Sequence, residues 1–364
     1  MVENIDSRFN FYIITSNKDS GGIVQKEGIT INAWNKIGNA KVFYSSSSIK
    51  SIFNIINILK NSNYDIMYIN GLFDPVYNLF PLVYGKLFKI NQKVIIAPRG
   101  QLFSGALKLK NKIKSFYFIF IRVFKLYNNI TFQATADDEI GSINTFFPKN
   151  YRILVAKNIL TKISGEVKLS AKNKNKLFYF SRIDENKNLL FALKIISKIS
   201  YPISFDIYGS IKNDLYWNEC QKVIKNIPKV INVNYKGPFN YSDITSIIEK
   251  YGLMFCPTKG ENFGHSIYET FANGLPVIIS DKTPWINLKE NKVGFDISLE
   301  KPQSFINAIE EHIALSDKDY IAKRKKIIDY IKNYYEDNNN INDTIKLFNK
   351  VTNYNNRKNQ FLSK

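Results

Sequence analysis

Two glutamates eight positions apart are the residues whose types and spacing most plainly offer chemistry. Glu261 and Glu269 stand in the run PTKGENFGHSIYETFANGLPVIISDKTPW, residues 257–285. One carboxylate can hydrogen-bond sugar hydroxyls or stabilise positive charge developing at an anomeric carbon. A second can bind the hydroxyls of a ribose, as acidic residues do in dinucleotide sites. The same spacing fits ordinary solvated acids on a loop and a helix, so both interpretations stay open at this point.

The elements around these glutamates would place them where ligands bind. An apolar run ends near Cys256, a polar loop follows, and a helix should begin near Gly264–Ser266 and stop at Asn273-Gly274. Ligands of open α/β sheets bind at the carboxyl ends of parallel strands, and the N-terminus of a helix suits a diphosphate. The candidate ligand-binding residues here are Glu261, Asn262, Phe263, Gly264, His265 and Ser266.

Two further segments carry candidate groups. Arg182 and Lys187 lie in FSRIDENKNL, residues 180–189. An Arg and a Lys alone indicate little in so basic a chain. Gly21 and Gly22 follow the first expected strand, where glycines either form a turn or let the backbone approach a ligand closely.

Short apolar runs alternate with longer helical stretches along the whole chain. Near-continuous apolar runs suit parallel strands buried on both faces, and their alternation with helices indicates right-handed βαβ units. The expected strands cover residues 9–15, 41–44, 65–69, 93–97, 130–134, 152–155, 177–180, 204–208, 230–235, 252–256 and 276–280. The predicted fold class is α/β, with two Rossmann-like, doubly wound parallel-sheet domains.

A lysine-rich polar stretch divides the chain. Residues 161–176, TKISGEVKLSAKNKNK, lack apolar periodicity and are interpreted as a linker. We therefore expect one domain over residues 1–160 and a second over residues 177–330. Residues 331–364 should form a helix and a tail, which could pack back on the N-terminal domain.

Composition and charge bound the class of protein. The chain has 364 residues, of which 45% are hydrophobic, and is expected to be globular. Two distant cysteines, no signal-peptide pattern and no apolar run long enough to span a bilayer predict a cytoplasmic protein, which could lie peripherally at the inner face of the cell membrane. The formal net charge of +20 fits either a selected anion-binding surface or the codon usage of an AT-rich genome.

Basic and aromatic residues are interleaved between Lys108 and Tyr127. The aromatic run Phe116–Phe120 is flanked by lysines on one side and by Arg122 and Lys125 on the other. Such a segment either lies on an anionic membrane surface or forms a core helix with a solvated basic face. For the aromatic residues, we favour the core helix.

The run 257–285 resembles the signature of family 4 glycosyltransferases, which are retaining enzymes with the GT-B fold. Their mark is two glutamates separated by seven residues, as in Glu261 and Glu269. The flanking matches are Phe263-Gly264, Gly274-x-Pro276-Val277 and Thr283-Pro284-Trp285. The resemblance covers roughly residues 9–300 and implies that the two Rossmann-like domains face a central cleft.

The resemblance also implies roles for single residues. Arg182 and Lys187 match the family's Arg…Lys-Asn segment, whose cations neutralise the donor diphosphate, and with Glu261 they are the expected catalytic residues. The run Gly21-Gly22 matches the family's N-terminal glycine loop. Arg99, in PRGQL, matches a Pro-Arg-Gly segment of a polysaccharide-building subset and is the candidate on the acceptor side.

The implied reaction moves a sugar from a UDP- or GDP-linked donor to a saccharide or lipid-linked acceptor, in surface polysaccharide or glycolipid synthesis. The N-terminal half contains no histidine, unlike that of many family members, and Arg99 cannot serve as a base at neutral pH. We therefore favour front-face attack, in which the departing phosphate oxygen takes the acceptor proton, over double displacement through Glu261. We expect no metal and no cofactor, and the motif Asp317-Lys-Asp319 is expected at a helix start or in a loop.

Three alternatives belong to other classes. A nucleotide-sugar epimerase with the GT-B fold would normally need further acids and histidines in the N-terminal half. A catalytically silent partner subunit would not need the intact set of Glu261, Glu269, Arg182 and Lys187. A nucleic-acid-binding protein would show clustered arginines and a known binding module, and the sequence has neither.

Overall fold

The computed structural model divides the chain into two compact units. The first comprises Met1–Thr161 with Asn339–Lys364, and the second comprises Lys162–Asn338. The structure describes residues 2, 4–5, 8–17, 28–46, 49–88, 93–103, 111–147, 151–163, 167–239, 243–338 and 340–362.

The first unit contains two sheets. Its strands are β1 (Phe11–Ser16), β2 (Trp34–Ile37), β3 (Ala40–Ser45), β4 (Met67–Asn70), β5 (Val94–Ala97), β6 (Thr131–Ala134) and β7 (Arg152–Val155). β3 is the central strand of one sheet. β1 pairs with it in parallel on one side, and β2 pairs with it antiparallel on the other. β4, β5, β6 and β7 form a second, wholly parallel sheet in that order.

Helices cover the strands of the first unit. They are Ile49–Asn61, Phe80–Leu87 with a preceding π-helical turn at Pro75–Leu79, Asn111–Val123, Asp137–Phe146 and, at the C-terminus, Ile341–Leu362. The C-terminal helix contributes Leu347, Phe348 and Val351 to a buried cluster with Ile95 of β5. Burial of these apolar side chains packs the C-terminal helix against the first unit.

The second unit is built on one parallel sheet of six strands. They are β8 (Lys176–Phe180), β9 (Ile203–Tyr208), β10 (Ile231–Gly237), β11 (Leu253–Cys256), β12 (Val277–Ser280) and β13 (Gly294–Ile297). Their spatial order is β10-β9-β8-β11-β12-β13, which is the Rossmann order. The helices are Leu189–Ile196, Asp214–Lys225, Ile244–Ile248, His265–Ala272, Pro302–Ala314 and Asp317–Asp337.

Each of the expected strands is present, and two others were missed. β2 has the mixed sequence WNKI and exposes Trp34 and Ile37, so it carries no buried apolar run. β13 is an edge strand that begins with Gly294 and includes Asp296. Asp317 and Asp319 lie in the first turn of a helix capped by Ser316, as expected. No helix in the described part of the chain combines the length and apolar character needed to cross a bilayer.

A buried arginine fixes the C-terminal end of the helix His265–Ala272. The Arg324 guanidinium, from the helix Asp317–Asp337, donates hydrogen bonds to the carbonyls of Asn273 (3.1 Å), Gly274 (3.0 Å) and Ser170 (3.0 Å). These carbonyls belong to the turn that ends the helix and to the segment before β8. One charged side chain thus satisfies the carbonyls of Asn273 and Gly274, which would otherwise be buried without a donor.

We expect Arg324→Met to lower the free energy of unfolding by at least about 2 kcal/mol, because buried carbonyls lose charged donors. Thermal denaturation would measure this as a Tm several degrees lower. Lys326→Met, which changes an exposed cation on the same helix, is the matched control and should leave the Tm nearly unchanged. Equal Tm values for the two variants would show that Arg324 does not hold this turn.

Candidate active site

Two loops of the second unit meet where the strand order of its sheet reverses. β8 and β11 are neighbours at that point, and their carboxyl ends lead into residues 181–188 and 257–264. We call these two segments the switch-point loops. In open α/β sheets, this position binds ligands because the connections from the two strands run to opposite faces of the sheet and leave a crevice between them.

The strongest contact between the loops is an ion pair. The Lys187 Nζ atom donates to Glu261 Oε2 at 2.5 Å. The side chains are 10% and 22% exposed, so the pair is largely shielded from water. A charge-assisted bond so little screened is stronger than a surface ion pair, and losing either partner would leave a nearly buried charge alone.

Local hydrogen bonds in the first loop orient the two cations. The Asp184 carboxylate accepts a hydrogen bond from the Lys187 backbone N–H at 3.0 Å. The same carboxylate lies 3.6 Å from the Arg182 guanidinium, whose side chain is 57% exposed. Asp184 therefore bends the loop so that Lys187 points to Glu261, while Arg182 stays accessible to an anion.

Polar contacts between the loops hold their backbones together. The Asn186 side chain donates to Gly260 O at 3.1 Å, and the Asn186 carbonyl accepts from Lys259 N at 2.7 Å. The Asn188 side chain donates to Pro257 O at 2.9 Å. The geometry of the Lys187–Glu261 pair is therefore fixed by the backbone as well as by the side chains.

Gly264 begins the helix His265–Ala272 in a conformation that suits glycine. Its φ is +81°, and a Cβ there would lie 2.9 Å from Ile267 Cδ1 and 3.3 Å from Glu261 Cγ. The Trp285 indole N–H donates to Phe263 O at 2.6 Å, which holds the turn before the helix. Gly264 supplies no side-chain cap. The positive end of the helix dipole lies at this N-terminus, beside the loop that carries Glu261.

The remaining motif residues follow this helix. It ends at Ala272 with Gly274 at φ +67°, as the sequence predicts. Glu269 is 5% exposed and lies on the buried side. The exposed His265 packs its ring against Phe263, with centroids 4.8 Å apart. Asn262 donates its backbone N–H to Glu261 Oε1 at 3.1 Å.

Arg99 lies in the first unit, at the carboxyl edge of its parallel sheet. It has a φ of +53°, which is strained for a residue with a side chain. Its guanidinium donates to Tyr68 OH (2.7 Å), Asn70 Oδ1 (3.3 Å) and Asn158 Oδ1. These three acceptors come from the strand β4 and from the segment after β7, so the cation sits among neutral oxygens at the ends of the strands.

A buried glutamate supports the turn at Arg99. Glu139 is fully buried and accepts hydrogen bonds from Gly100 N at 2.6 Å and from Thr135 N at 2.7 Å. Sequence reasoning missed Glu139, and also Asp184 and Asn186 in the second unit. The common signal is a polar side chain within a few residues of the end of an apolar strand.

Two predicted residues, Gly21 and Gly22, lie outside the described residues. Ser266 is half-buried in the first turn of its helix and accepts, at its carbonyl, a bond from Thr270. Across the described residues, no group of three or more His, Cys, Asp or Glu side chains is placed to hold a metal ion.

Comparison with known proteins places this geometry in a class. Residues 162–334 match the family model described as glycosyl transferases group 1. A curated relative, the GtfA subunit of the UDP-N-acetylglucosamine–peptide N-acetylglucosaminyltransferase of Streptococcus agalactiae, is 27% identical over 154 residues. The match covers 40% of this chain and 29% of the relative, so this chain aligns with under a third of that protein.

Solved structures agree on the fold. TarM of S. aureus, solved with UDP and α-GlcNAc-glycerol, has a TM-score of 0.59 at 17% identity. That match covers 82% of this chain and 59% of the TarM chain. HepE of Anabaena, solved with UDP-glucose, has a TM-score of 0.64 at 13% identity. That match covers 96% of this chain and 100% of the HepE chain. The chain therefore has the GT-B fold. The match to the group 1 glycosyl transferase model covers nearly all of its second unit.

Proposed function

We propose that the chain is a retaining family 4 glycosyltransferase that moves a sugar from a UDP- or GDP-linked donor to a saccharide acceptor. The observation that carries the proposal is the shielded Lys187–Glu261 pair between the switch-point loops. The arrangement sets one cation and one carboxylate at the edge of the sheet where nucleotide ligands bind in this fold class.

The cations would stabilise the leaving group. When the bond between the anomeric carbon and the phosphate oxygen breaks, its electron pair stays on the nucleoside diphosphate. Arg182, accessible to solvent, and Lys187, fixed by the loops, would balance that new charge without a metal. The dipole of the helix His265–Ala272 would add to the same effect.

The carboxylates would act on the sugars of the donor. Glu261 would hydrogen-bond the transferred sugar and stabilise positive charge at its anomeric carbon. Glu269, in the helix His265–Ala272, would bind the ribose hydroxyls. The acceptor hydroxyl would attack from the face that the diphosphate leaves, and its proton would pass to the departing phosphate oxygen, so that configuration is retained and Glu261 forms no covalent bond.

The first unit would supply the acceptor side through Arg99, whose strained backbone is a common property of functional residues. A lipid-linked saccharide in surface polysaccharide or glycolipid synthesis is the acceptor class we propose. The enzyme would then work peripherally at the inner face of the cell membrane.

A thermal-shift titration with UDP, GDP, ADP and their sugar conjugates, with and without EDTA, tests the donor site. A nucleotide at 100 times its dissociation constant should add about 2.7 kcal/mol of stability. A selective shift that EDTA leaves unchanged would support the proposal and name the donor class. No shift with any nucleotide would favour a silent partner subunit. In a separate assay of the donor without an acceptor, steady release of free nucleotide would favour an epimerase.

We expect Glu269→Ala to weaken nucleotide binding about ten- to hundredfold, because a carboxylate that accepts ribose hydroxyls is lost. The measurement is the midpoint of the thermal-shift titration. Glu269→Gln keeps the volume of this buried side chain and separates loss of the charge from loss of folding. Glu290→Ala, which removes an exposed acid of the same unit, is the control. Unchanged affinity in both Glu269 variants would remove this residue from the site.

A further inference from the structure

The helix Asn111–Val123 of the first unit has two opposite apolar sides. One side is buried, with Tyr117, Phe118 and Ile121 in the core of the unit. The other side is open to solvent and carries Ile113, Phe116, Ile119 and Val123, with Phe124 just beyond the helix. These five side chains are 51–70% exposed. The expectation of a core helix is therefore right for one side of the helix and wrong for the other.

A second element extends this open side. Leu87 and Phe88, at the end of the helix Phe80–Leu87, are 72% and 65% exposed. The neighbouring Lys86 Nζ atom donates to Phe124 O at 2.5 Å and to Lys125 O at 3.3 Å, which brings the two helix ends together. We call the seven exposed side chains the exposed apolar face. They are Leu87, Phe88, Ile113, Phe116, Ile119, Val123 and Phe124.

The stretch of sequence that contains this face carries charges of one sign. Residues 75–136 contain ten lysines and arginines and no aspartate or glutamate. Among the charged residues next to the face, Arg122 and Lys125 are exposed, and they line a cavity of about 460 Å³ together with Asn128 and Asn129. An acid-free stretch of this length would not follow from codon usage that merely favours lysine, since the chain holds 31 acidic residues elsewhere.

We propose that the exposed apolar face binds an anionic lipid bilayer. Large apolar side chains would enter the boundary between headgroups and acyl chains, while Arg122, Lys125 and their basic neighbours contact the phosphates. A second copy of the chain fits poorly, because two basic faces on molecules of net charge +20 repel each other. The combination of an apolar face with flanking cations distinguishes a bilayer from an apolar protein partner.

Lipid binding by this face does not depend on the proposed glycosyl transfer. The residues of the face lie in the first unit, and the switch-point loops belong to the second. The chain can therefore bind vesicles without binding nucleotide, or bind nucleotide without binding vesicles. The two proposals are thus tested separately.

The test is co-sedimentation of the full chain with vesicles of phosphatidylcholine alone or mixed with phosphatidylglycerol. We expect binding to the anionic vesicles, with affinity falling steeply as salt rises. Phe116→Ser with Ile119→Ser, and separately Arg122→Glu with Lys125→Glu, should each reduce binding at least tenfold. Leu215→Ser and Lys229→Glu, at exposed positions of the second unit, are the matched apolar and basic controls and should bind as the wild type does.

A gain-of-signal variant guards against loss of folding. Phe116→Trp should show a blue-shifted fluorescence on anionic vesicles, and Leu215→Trp should not. The proposal is overturned if neither charge reversal nor serine substitution changes vesicle binding, or if Phe116→Trp shows no shift. Dimers in sedimentation velocity that Phe116→Ser abolishes, without vesicle binding, would assign the face to a second copy instead.

Discussion

Lys187→Ala is expected to slow sugar transfer about 30- to 1,000-fold, while donor affinity falls much less. Removing one preorganised charge from a transition state costs about 2–4 kcal/mol, and each 1.4 kcal/mol is a factor of ten in rate. The negative charge that Lys187 would balance is larger on the departing diphosphate than on the bound donor. The loss should therefore appear mainly in kcat and less in KM.

The structure gives a second reason for a large effect. Lys187 is the cation that the Glu261 carboxylate contacts, at 2.5 Å, and both side chains are mostly buried. Without it, Glu261 would hold a poorly solvated negative charge and would turn toward solvent or toward another donor. One substitution would thus remove the cation and displace the carboxylate that we propose to stabilise the anomeric carbon.

Steady-state kinetics with the donor class found by thermal shift would measure this effect. Lys259→Ala is the matched control, because it removes an exposed lysine from the same pair of loops. Lys187→Arg keeps the charge but not the shape and should recover part of the rate. A kcat for Lys187→Ala within threefold of the wild type would contradict the proposed role.

The fold was largely predictable from the sequence because its strands are buried on both faces. Runs such as Leu253–Cys256 and Val277–Ser280 are continuous apolar stretches between polar turns, and the structure buries every residue of both. The strand Trp34–Ile37 escaped detection for the opposite reason. It pairs with β3 at a sheet edge, where three of its four residues are exposed and none is buried, so it carries no apolar pattern.

The local part of the candidate site was also predictable. The seven-residue spacing, the glycine before the helix and the Asn-Gly stop placed the helix His265–Ala272 correctly. The pairing of Lys187 with Glu261 was not predictable, because 74 positions separate them and the contact depends on which strands are neighbours. The support of the helix by Arg324 is another long-range contact, and no local pattern marks it.

The segment around Phe116 shows why one pattern can support two interpretations. Apolar residues on all sides of a helix indicate burial, yet the sequence does not say how many sides have a neighbouring element. In the structure, core side chains cover the side with Tyr117 and Phe118 only. Which side stays open depends on the positions of the other helices, and these are a property of the whole unit.

Gly209→Ala is expected to be the most disruptive single methyl group in the second unit. Gly209 follows β9 with a φ of +150°, and a Cβ there would lie 1.9 Å from Ser181 O and 2.7 Å from Ser181 C. Both are backbone atoms at the start of the first switch-point loop. The loop would have to move, and with it Arg182, whose Cα would lie only 3.3 Å from the new atom.

Both stability and nucleotide binding should suffer. A backbone clash added to an unfavourable φ should cost more than about 3 kcal/mol, which corresponds to a fall in Tm of roughly 10 °C. The displaced Arg182 would also reduce the rise in Tm that nucleotide produces. The matched control is Gly237→Ala on the adjacent strand, where φ is +83° but no atom lies within 4 Å of the added Cβ.

The control separates strain from collision. Gly237→Ala should cost only the left-handed backbone term, about 1–2 kcal/mol, and keep the nucleotide shift. If the Tm of Gly209→Ala is no lower than that of Gly237→Ala, the loop after β8 can move aside without loss of stability. The close approach of Gly209 to Ser181 would then not be what holds Arg182 and Lys187 in place. If Gly209→Ala alone loses both stability and nucleotide binding, the strand β9 determines the geometry of the cations as directly as the loop that carries them.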